Sequence, residues 1–279
     1  MTSPLSVLDA VVLGVVEGIT EYLPVSSTGH LVVTERLLDL GTDPATKDAI
    51  DAYTVIIQFG AILAVLLLYR ERIADILRGL VGRSEGGRRL LLALVVAFFP
   101  AAVVGLIGNA LIDEHLLEPV PVAIAWIVGG AAILLFIDRF QRGASEGTRL
   151  DEIVLRQAWI IGAMQVLALW PGVSRSLVTI VGALIAGLRM VDAVEFSFLL
   201  GLITLTAASF YSAAKDGQTV VDTFGIAIPL LGIAVAGISA AIAVRWLVGY
   251  LQRRGLGIFG WYRIVVGAAT LVLVAAGVI

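Results

Sequence analysis

Residues 23–29 of the chain read Leu23-Pro24-Val25-Ser26-Ser27-Thr28-Gly29, and they interrupt an apolar segment that runs from residue 7 to residue 38. A second apolar segment, residues 154–188, is interrupted in the same way by Trp170-Pro171-Gly172-Val173-Ser174-Arg175-Ser176. Proline removes a backbone donor and glycine permits positive φ, so neither segment is expected to form one continuous helix. Each is predicted to be a hairpin of two half-helices that meet at the polar break.

The composition places these hairpins in a membrane. Of the 279 residues, 59% are hydrophobic and only 15% are charged, with a mean hydropathy of +1.00. Soluble domains have about 25% charged residues, and a chain of this size cannot bury so much apolar surface in water. The net charge of −3 and the absence of cysteine exclude a basic nucleic-acid-binding protein and a disulfide scaffold. We therefore predict an all-α, polytopic integral membrane protein.

Six further segments are long and apolar enough to cross a bilayer, which needs about 20 residues. They are residues 52–69, 90–112, 121–137, 196–214, 224–248 and 263–279. Irregular backbone at membrane depth survives only where protein or a wet cavity satisfies its polar groups. The prediction is therefore six transmembrane helices and two re-entrant helical hairpins, all in a single transmembrane domain, residues 1–279.

Arginine-rich segments predict the orientation. Residues 70–89 contain six arginines, whereas residues 113–119 contain no Lys or Arg. Two other arginine-rich regions contain Arg139, Arg142, Arg149 and Arg156, and Arg245, Arg253, Arg254 and Arg263. The positive-inside rule places these regions in the cytoplasm. The first hairpin then enters from the outside and the second from the inside.

The two hairpins also match each other in sequence, at a constant offset of 148 residues. The matched pairs are Gly14 with Gly162, Glu17 with Gln165, Tyr22 with Trp170, Val25 with Val173, and Ser26 with Ser174. One hairpin plus three spans would then form an inverted-topology repeat, with approximate halves 1–140 and 150–279. In inverted-repeat transporters the site lies where broken helices converge. We therefore expect the two breaks to face each other.

Glu17 and Glu21 precede the first break and lie one helical turn apart, on the same helix face. Two carboxylates at membrane depth are costly unless a cation or a shared proton intervenes. They are expected to bind a divalent cation, Mg²⁺ or Ca²⁺, which suits a phosphorylated substrate. The alternative is a pair that lies near the membrane surface and is merely hydrated.

The hydroxyls of Ser26, Ser27 and Thr28 and the imidazole of His30 follow in the same break. A single hydroxyl after proline is explained by helix capping, but three of them with a histidine favour a reactive site. His30 is a candidate general acid or base, because its ordinary pKa lies near neutral pH. The alternative is a structural histidine whose ring nitrogens are satisfied elsewhere.

Arg175 lies between Ser174 and Ser176 in the second break, and Thr179 follows one turn later. An arginine in apolar surroundings needs an anionic partner, and its planar fork suits phosphate. Helix N-termini near Ser27 and Ser174 would add backbone donors. The alternative partner of Arg175 is Glu17 or Glu21. A phosphate or diphosphate would use all of these groups, and in a bilayer its carrier is expected to be a lipid.

At these residues the chain resembles the bacterial undecaprenyl-diphosphate phosphatase family of the bacitracin-resistance type. The resemblance rests on residues 13–30, Leu-Gly-Val-Val-Glu-Gly-Ile-Thr-Glu-Tyr-Leu-Pro-Val-Ser-Ser-Thr-Gly-His, and on residues 171–176, Pro-Gly-Val-Ser-Arg-Ser. Family members often have glycine where this chain has Leu177. The resemblance implies hydrolysis of undecaprenyl diphosphate to undecaprenyl phosphate and phosphate. This recycles the lipid carrier for peptidoglycan and other envelope polymers.

The resemblance also implies a divalent cation and an active site that opens to the outer face of the bacterial cytoplasmic membrane. The catalytic residues are then expected to be Ser27, His30, Glu21 and Arg175, and the metal ligands Glu17 and Glu21. The expected substrate-binding residues are Ser26, Thr28, Ser174, Ser176, Thr179 and Gln165. Ser27 is the expected nucleophile and His30 its base, with direct attack by water as the variant.

The expected partners are a polyprenyl diphosphate and membrane lipids, without nucleic acid, and a homo-oligomer is compatible with the sequence. The competing function is a polyprenyl-phosphate flippase or transporter that uses the same broken helices. An anion channel is a weaker alternative, because Glu17 and Glu21 would repel the ion.

Overall fold

The computed structural model describes residues 5–40, 44–141 and 147–279, and within them the side chains of all but 44–45, 109–115 and 137–141. The regular structure of these residues is helical, which confirms the all-α prediction. The helices are α1 (Val7–Thr20), α2 (Ser27–Leu37), α3 (Pro44–Leu68), α4 (Arg70–Leu80), α5 (Glu85–His115), α6 (Pro119–Gln141), α7 (Leu155–Gln165), α8 (Arg175–Ile185), α9 (Met190–Phe224), α10 (Ala227–Arg254) and α11 (Gly257–Ala275). Short 3₁₀ turns cover Leu150–Glu152 and Val166–Leu169.

Six of the described helices are long and apolar enough to cross a membrane, and they correspond to the six predicted spans. They are α3, α5, α6, α9, α10 and α11. Their ends differ from the prediction by several residues. Helix α9, for example, extends beyond the predicted span 196–214 on both sides. Hydropathy marks only the apolar part of a helix, whereas backbone hydrogen bonding continues into the polar turns at each end.

Helix α4 was not predicted, because its arginines suggested only a charged loop. It follows α3 after the single residue Tyr69. Arg72 joins it to two other elements, with Nε 2.6 Å from an oxygen of Glu195 and Nη1 2.6 Å from an oxygen of Asp151. The arginine-rich end of the molecule is therefore held together by ion pairs between α4, α9 and the turn before α7.

The two hairpins have the same backbone geometry at their breaks. Ser26 has φ 72° and ψ 102°, and Ser174 has φ 77° and ψ 110°. Positive φ is uncommon outside glycine, so its occurrence at two matched serines supports the offset found in the sequence. Each serine is the N-cap of the half-helix that follows, as expected. The division of the chain into halves 1–140 and 150–279 stays a prediction.

The hairpins enter the helix bundle from opposite ends. Leu13 of α1 packs in a cluster with Phe224, at the end of α9. Ala158 of α7 packs in another cluster with Ala193, at the start of α9. Because α9 runs the length of the bundle, the two clusters lie at opposite ends of it. This arrangement agrees with the predicted opposite entry of the hairpins.

Helix α1 lies against α10 at unusually short range, and Gly18 makes this possible. A Cβ atom at Gly18 would lie 2.2 Å from the carbonyl oxygen of Ala236 and 2.8 Å from the backbone nitrogen of Ala240. Gly18 lies between Glu17, which is in α1, and Glu21, which caps the end of α1. The close packing therefore fixes the helix that carries both carboxylates.

One arginine does not lie where the sequence analysis placed it. Arg263 was counted with the cytoplasmic loop charges, but it lies in the second turn of α11 and is completely buried. The error arises because Arg263 follows closely after Arg253 and Arg254, which do lie at the end of α10. The other arginines of that region still support the predicted orientation.

Candidate active site

The first break brings a serine hydroxyl onto a carboxylate. Glu21 caps the end of α1, and Ser27 is the first residue of α2. Both are buried, and the Ser27 hydroxyl donates a short hydrogen bond to Oε2 of Glu21. Because the carboxylate accepts this hydrogen bond, it can take up the hydroxyl proton, and a hydroxyl that loses its proton becomes a stronger nucleophile.

The second break repeats the capping geometry. The Ser174 hydroxyl accepts a hydrogen bond from the N–H of Leu177 at 3.3 Å, as the Ser26 hydroxyl does from the N–H of Gly29 at 3.4 Å. Leu177 lies inside α8 and packs in a hydrophobic cluster. The helical turn after Arg175 therefore accommodates the leucine at position 177.

The two breaks contact each other directly, as predicted. The N–H of Gly172 donates to the Ser26 hydroxyl at 3.2 Å, and the Ser176 hydroxyl donates to the carbonyl of Leu23 at 2.8 Å. Nη2 of Arg175 lies 2.6 Å from Oε1 of Glu21. Segments about 150 residues apart thus form one polar junction inside the apolar bundle.

Glu21 is the centre of this junction. One of its oxygens binds the guanidinium of Arg175 and the other accepts the hydroxyl of Ser27. The side chain of Glu21 is 5% exposed and that of Arg175 is 13% exposed. The predicted alternative, in which Arg175 forms a salt bridge with Glu17 or Glu21, is thus confirmed for Glu21. A buried ion pair is weak evidence of stabilisation, but this one places opposite charges where the two breaks meet.

Arg175 is held from three sides. Its Nη1 donates to the carbonyl of Ser197 at 3.1 Å, and its guanidinium carbon lies 5.5 Å from the ring centre of Tyr22. The hydroxyls of Thr179 and Ser197 lie 2.7 Å apart, and Thr179 also donates to the carbonyl of Arg175 at 2.8 Å. Thr179 and Ser197 therefore fix the turn that carries the guanidinium.

Glu17 and Gln165, the matched pair from the two hairpins, are both buried. Neither side chain receives a hydrogen bond from a protein donor, although the Glu17 carboxyl lies close enough to that of Glu21 for the two to share a proton. Buried polar groups are nearly always hydrogen-bonded. Gln165 is therefore a group that a ligand or water would complete, and Glu17 is one that a cation, water or a proton shared with Glu21 would complete.

His30 does not contact the Ser27 hydroxyl through either ring nitrogen. Nδ1 lies 2.7 Å from the carbonyl oxygen of Ser26, and Nε2 lies 2.8 Å from the hydroxyl of Tyr262. Because a carbonyl only accepts, Nδ1 carries a proton. The ring also packs edge-on against Trp126 at 4.7 Å between ring centres. These contacts fit the structural alternative for His30.

The other predicted residues fall into two groups. The hydroxyls of Ser26, Ser174 and Ser176 bond within the junction, where Ser174 and Ser176 lie 3.1 Å apart. Thr28 is exposed at the first turn of α2, away from the buried groups. Three residues near the junction were missed, namely Ser197, Tyr262 and Arg263. The sequence contains no signal for Ser197 or Tyr262, and the signal for Arg263 is only an arginine followed by an apolar helix.

The chain is similar to known proteins over almost its whole length. The family model described as "Bacitracin resistance protein BacA" matches residues 10–269. A relative from Sorangium cellulosum named "Undecaprenyl-diphosphatase" is 43% identical over 94% of this chain and 85% of its own. A relative from Rhodospirillum rubrum named "Undecaprenyl-diphosphatase 2" is 41% identical over 98% of this chain and 96% of its own. The chain therefore belongs to the bacitracin resistance protein BacA family.

Proposed function

We propose that the chain hydrolyses undecaprenyl diphosphate to undecaprenyl phosphate and phosphate, and so recycles the lipid carrier of envelope polymers. Relatives with the name of this activity cover nearly the whole chain. The observation that carries the proposal is the junction of the two breaks, where Glu21 holds both Arg175 and Ser27. The transport alternative is not favoured, since those relatives are named as phosphatases.

When the substrate binds, its diphosphate replaces the Glu21 carboxylate as the partner of Arg175. A diphosphate competes with Glu21 for the guanidinium, which offers two parallel N–H donors to phosphate oxygens. Helices α2 and α8 both begin at the junction, so the positive ends of both helix dipoles lie there, which favours an anion. Gln165 contributes an amide that has no partner within the protein. Thr28 would contact the substrate only at the exposed edge of the site.

Four hydroxyl side chains of the junction position the substrate indirectly, because they hold the backbone that lines the site. They belong to Ser26, Ser174, Ser176 and Thr179. Their hydroxyls are hydrogen-bonded within the junction, where they fix the first turns of α2 and α8. Such positioning matters because phosphoryl transfer depends mostly on alignment and charge neutralisation.

Ser27 is the proposed nucleophile. Its oxygen attacks the terminal phosphorus, the bond from that phosphorus to the bridging oxygen breaks, and undecaprenyl phosphate leaves. Glu21 accepts the proton of the hydroxyl, because it already holds that proton in a hydrogen bond. Water then hydrolyses the phosphoserine and releases phosphate. Direct attack by water is the variant, in which Ser27 only orients the nucleophile.

His30 was expected to be the base, but Glu21 is the group in contact with Ser27. Both ring nitrogens of His30 are bonded to Ser26 and Tyr262. The contact to the carbonyl of Ser26 stabilises the positive-φ conformation of Ser26 at the break. We propose that His30 holds the turn before Ser27, with Nδ1 donating to the carbonyl of Ser26 and Nε2 accepting a hydrogen bond from the Tyr262 hydroxyl.

Glu17 and Glu21 fit a divalent cation in part. Both oxygens of Glu17 are buried and receive no hydrogen bond from a protein donor, and the carboxyl lies next to that of Glu21, as expected of two carboxylates that share a cation. Among the described residues, no group of three or more His, Asp or Glu comes together. The cation would therefore be held by one or both carboxylates with substrate oxygens and water. It would neutralise charge on the diphosphate.

The protein is a multi-pass membrane protein, and we propose the bacterial cytoplasmic membrane as its location, with the site open to its outer face. Six apolar helices and the arginine-rich end formed by α4 support this orientation.

The test is phosphate release by the purified protein in detergent, where no transmembrane gradient exists. Undecaprenyl diphosphate is supplied in mixed micelles with Mg²⁺ or Ca²⁺, and free phosphate is measured. Steady release that depends on enzyme concentration is expected. No release with either cation, from protein that elutes as a folded species, would overturn the proposal.

A further inference from the structure

Arg263 is a buried arginine that the proposed reaction does not use. It lies in the second turn of α11 and is 0% exposed, whereas its neighbours Trp261 and Tyr262 are exposed by 63% and 42%. An arginine at such a depth is costly and tends to mark function. Its position therefore needs an explanation beyond packing.

The guanidinium of Arg263 binds backbone carbonyls from both breaks. Nη1 donates to the carbonyl of Pro24 at 3.4 Å, and Nη2 donates to the carbonyl of Gly172 at 2.9 Å. Nη2 also donates to the carbonyl of Ala125 in α6 at 3.0 Å. Pro24 and Gly172 lie outside helices, so no helical N–H satisfies their carbonyls. A planar fork with several donors suits acceptors that come from three directions.

A short chain of hydrogen bonds leads from Arg263 to the start of α2. The carbonyl of Gly172 accepts a hydrogen bond from Arg263, and the N–H of Gly172 donates to the Ser26 hydroxyl. The Ser26 hydroxyl in turn accepts from the N–H of Gly29, in the first turn that contains Ser27. The guanidinium thus links the arginine break to the turn that carries the proposed nucleophile.

The facing helix provides the space for this guanidinium. A Cβ atom at Gly129 in α6 would lie 2.3 Å from Nη2 and 3.0 Å from Cζ of Arg263. Any larger residue there would displace the charged group from its carbonyls. The position of the Arg263 guanidinium therefore depends on a glycine at position 129.

We propose that Arg263 is a positioning residue for the reaction, which clamps the two breaks together and so aligns Ser27 with Arg175. This inference rests on the proposed function but concerns a residue that does not touch the substrate. Misplacement of a reacting group by about 1 Å can cost about 100-fold in rate. Substrate affinity should change little, because Arg175 and the helix N-termini remain.

The test compares Arg263→Met, Arg263→Lys and Gly129→Ala in the phosphate-release assay, with rates expressed per folded molecule. Arg263→Met is expected to lower kcat about 100-fold with KM within about threefold of the parent. Arg263→Lys should restore part of the loss, since an ammonium reaches fewer carbonyls. Gly129→Ala should lower kcat about tenfold although the charge remains.

The matched controls are Arg245→Met, which removes an exposed arginine, and Gly105→Ala, where a Cβ would make an ordinary contact of 3.4 Å. Both should retain the parent kcat. The proposal is overturned if Arg263→Met and Gly129→Ala keep kcat within about twofold per folded molecule, or if KM alone changes. If Arg263→Met does not fold, Gly129→Ala and Arg263→Lys decide by the same criterion.

A second measurement does not depend on turnover. The chain has no cysteine, so spin labels can be attached at Thr28→Cys and Trp170→Cys, two exposed positions at the two breaks. A single narrow distance is expected in the otherwise unmodified chain, and a broader distribution is expected with Arg263→Met. An unchanged distribution would refute the clamp even if the proposed phosphatase activity were absent.

Discussion

Replacement of Arg175 by lysine keeps the positive charge but removes the planar guanidinium and its paired N–H donors. It is therefore the most direct test of the anion site. In the structure the guanidinium reaches Glu21 with one nitrogen and the carbonyl of Ser197 with the other. A lysine has a single nitrogen and cannot replace two parallel donors. One lost hydrogen bond to a charged group corresponds to about 1.5–3 kcal/mol. At about 1.4 kcal/mol per factor of ten, kcat/KM should fall about 10- to 150-fold.

The assay is phosphate release in detergent micelles, with Arg175→Gln as the stronger variant. Loss of both charge and fork should lower kcat/KM by about 1,000-fold or more. Arg156→Lys is the matched control, because Arg156 is an exposed arginine in α7 of the same hairpin. If Arg175→Lys stays within about threefold of the parent while Arg156→Lys is unchanged, bidentate binding of the diphosphate is refuted.

Three other substitutions test the nucleophile, the cation and the helix packing. Ser27→Ala should lower kcat by about 1,000-fold or more and abolish ³²P trapped on the protein at low pH, whereas near-normal turnover would exclude the phosphoserine. Glu17→Gln should raise the half-saturating Mg²⁺ concentration by about tenfold or more, and an unchanged metal titration would argue against ligation by this carboxylate. Gly18→Ala should destabilise the protein by about 1–3 kcal/mol, measured by thermal unfolding in detergent, because its Cβ would overlap α10; a melting temperature equal to that of the parent would contradict the close packing.

The broken hairpins and their meeting point could be predicted because each depends on local chemistry. Proline and glycine at the breaks prevent continuous helix, and the low polarity of the flanks requires those breaks to find partners inside the protein. The juxtaposition of Arg175 with Glu21 followed from the same requirement, since each charge needs its opposite.

The roles of single polar residues could not be predicted in the same way. Thr28 follows Ser27 directly, but a helix turns by 100° per residue, so its side chain points away from that of Ser27. His30 lies three residues after Ser27 on the same helix, where the sequence predicts that the two side chains are neighbours, yet both of its ring nitrogens are bonded elsewhere. His30 bonds to Tyr262, which is 232 residues away in sequence. In the sequence, Arg263 resembles a loop charge. Its partners are backbone carbonyls of α6 and of the two breaks, and these can be recognised only once α11 is packed against them.

The two left-handed serines suggest how such a protein could have arisen. Each predicted half of the chain contributes one of them, yet the proposed nucleophile Ser27 lies in one predicted half and the proposed phosphate-binding Arg175 in the other. Neither half alone would contain a complete catalytic apparatus. An ancestor encoded by a half-length gene would therefore have needed two copies inserted in opposite directions, and fusion of the genes would have freed the copies to specialise.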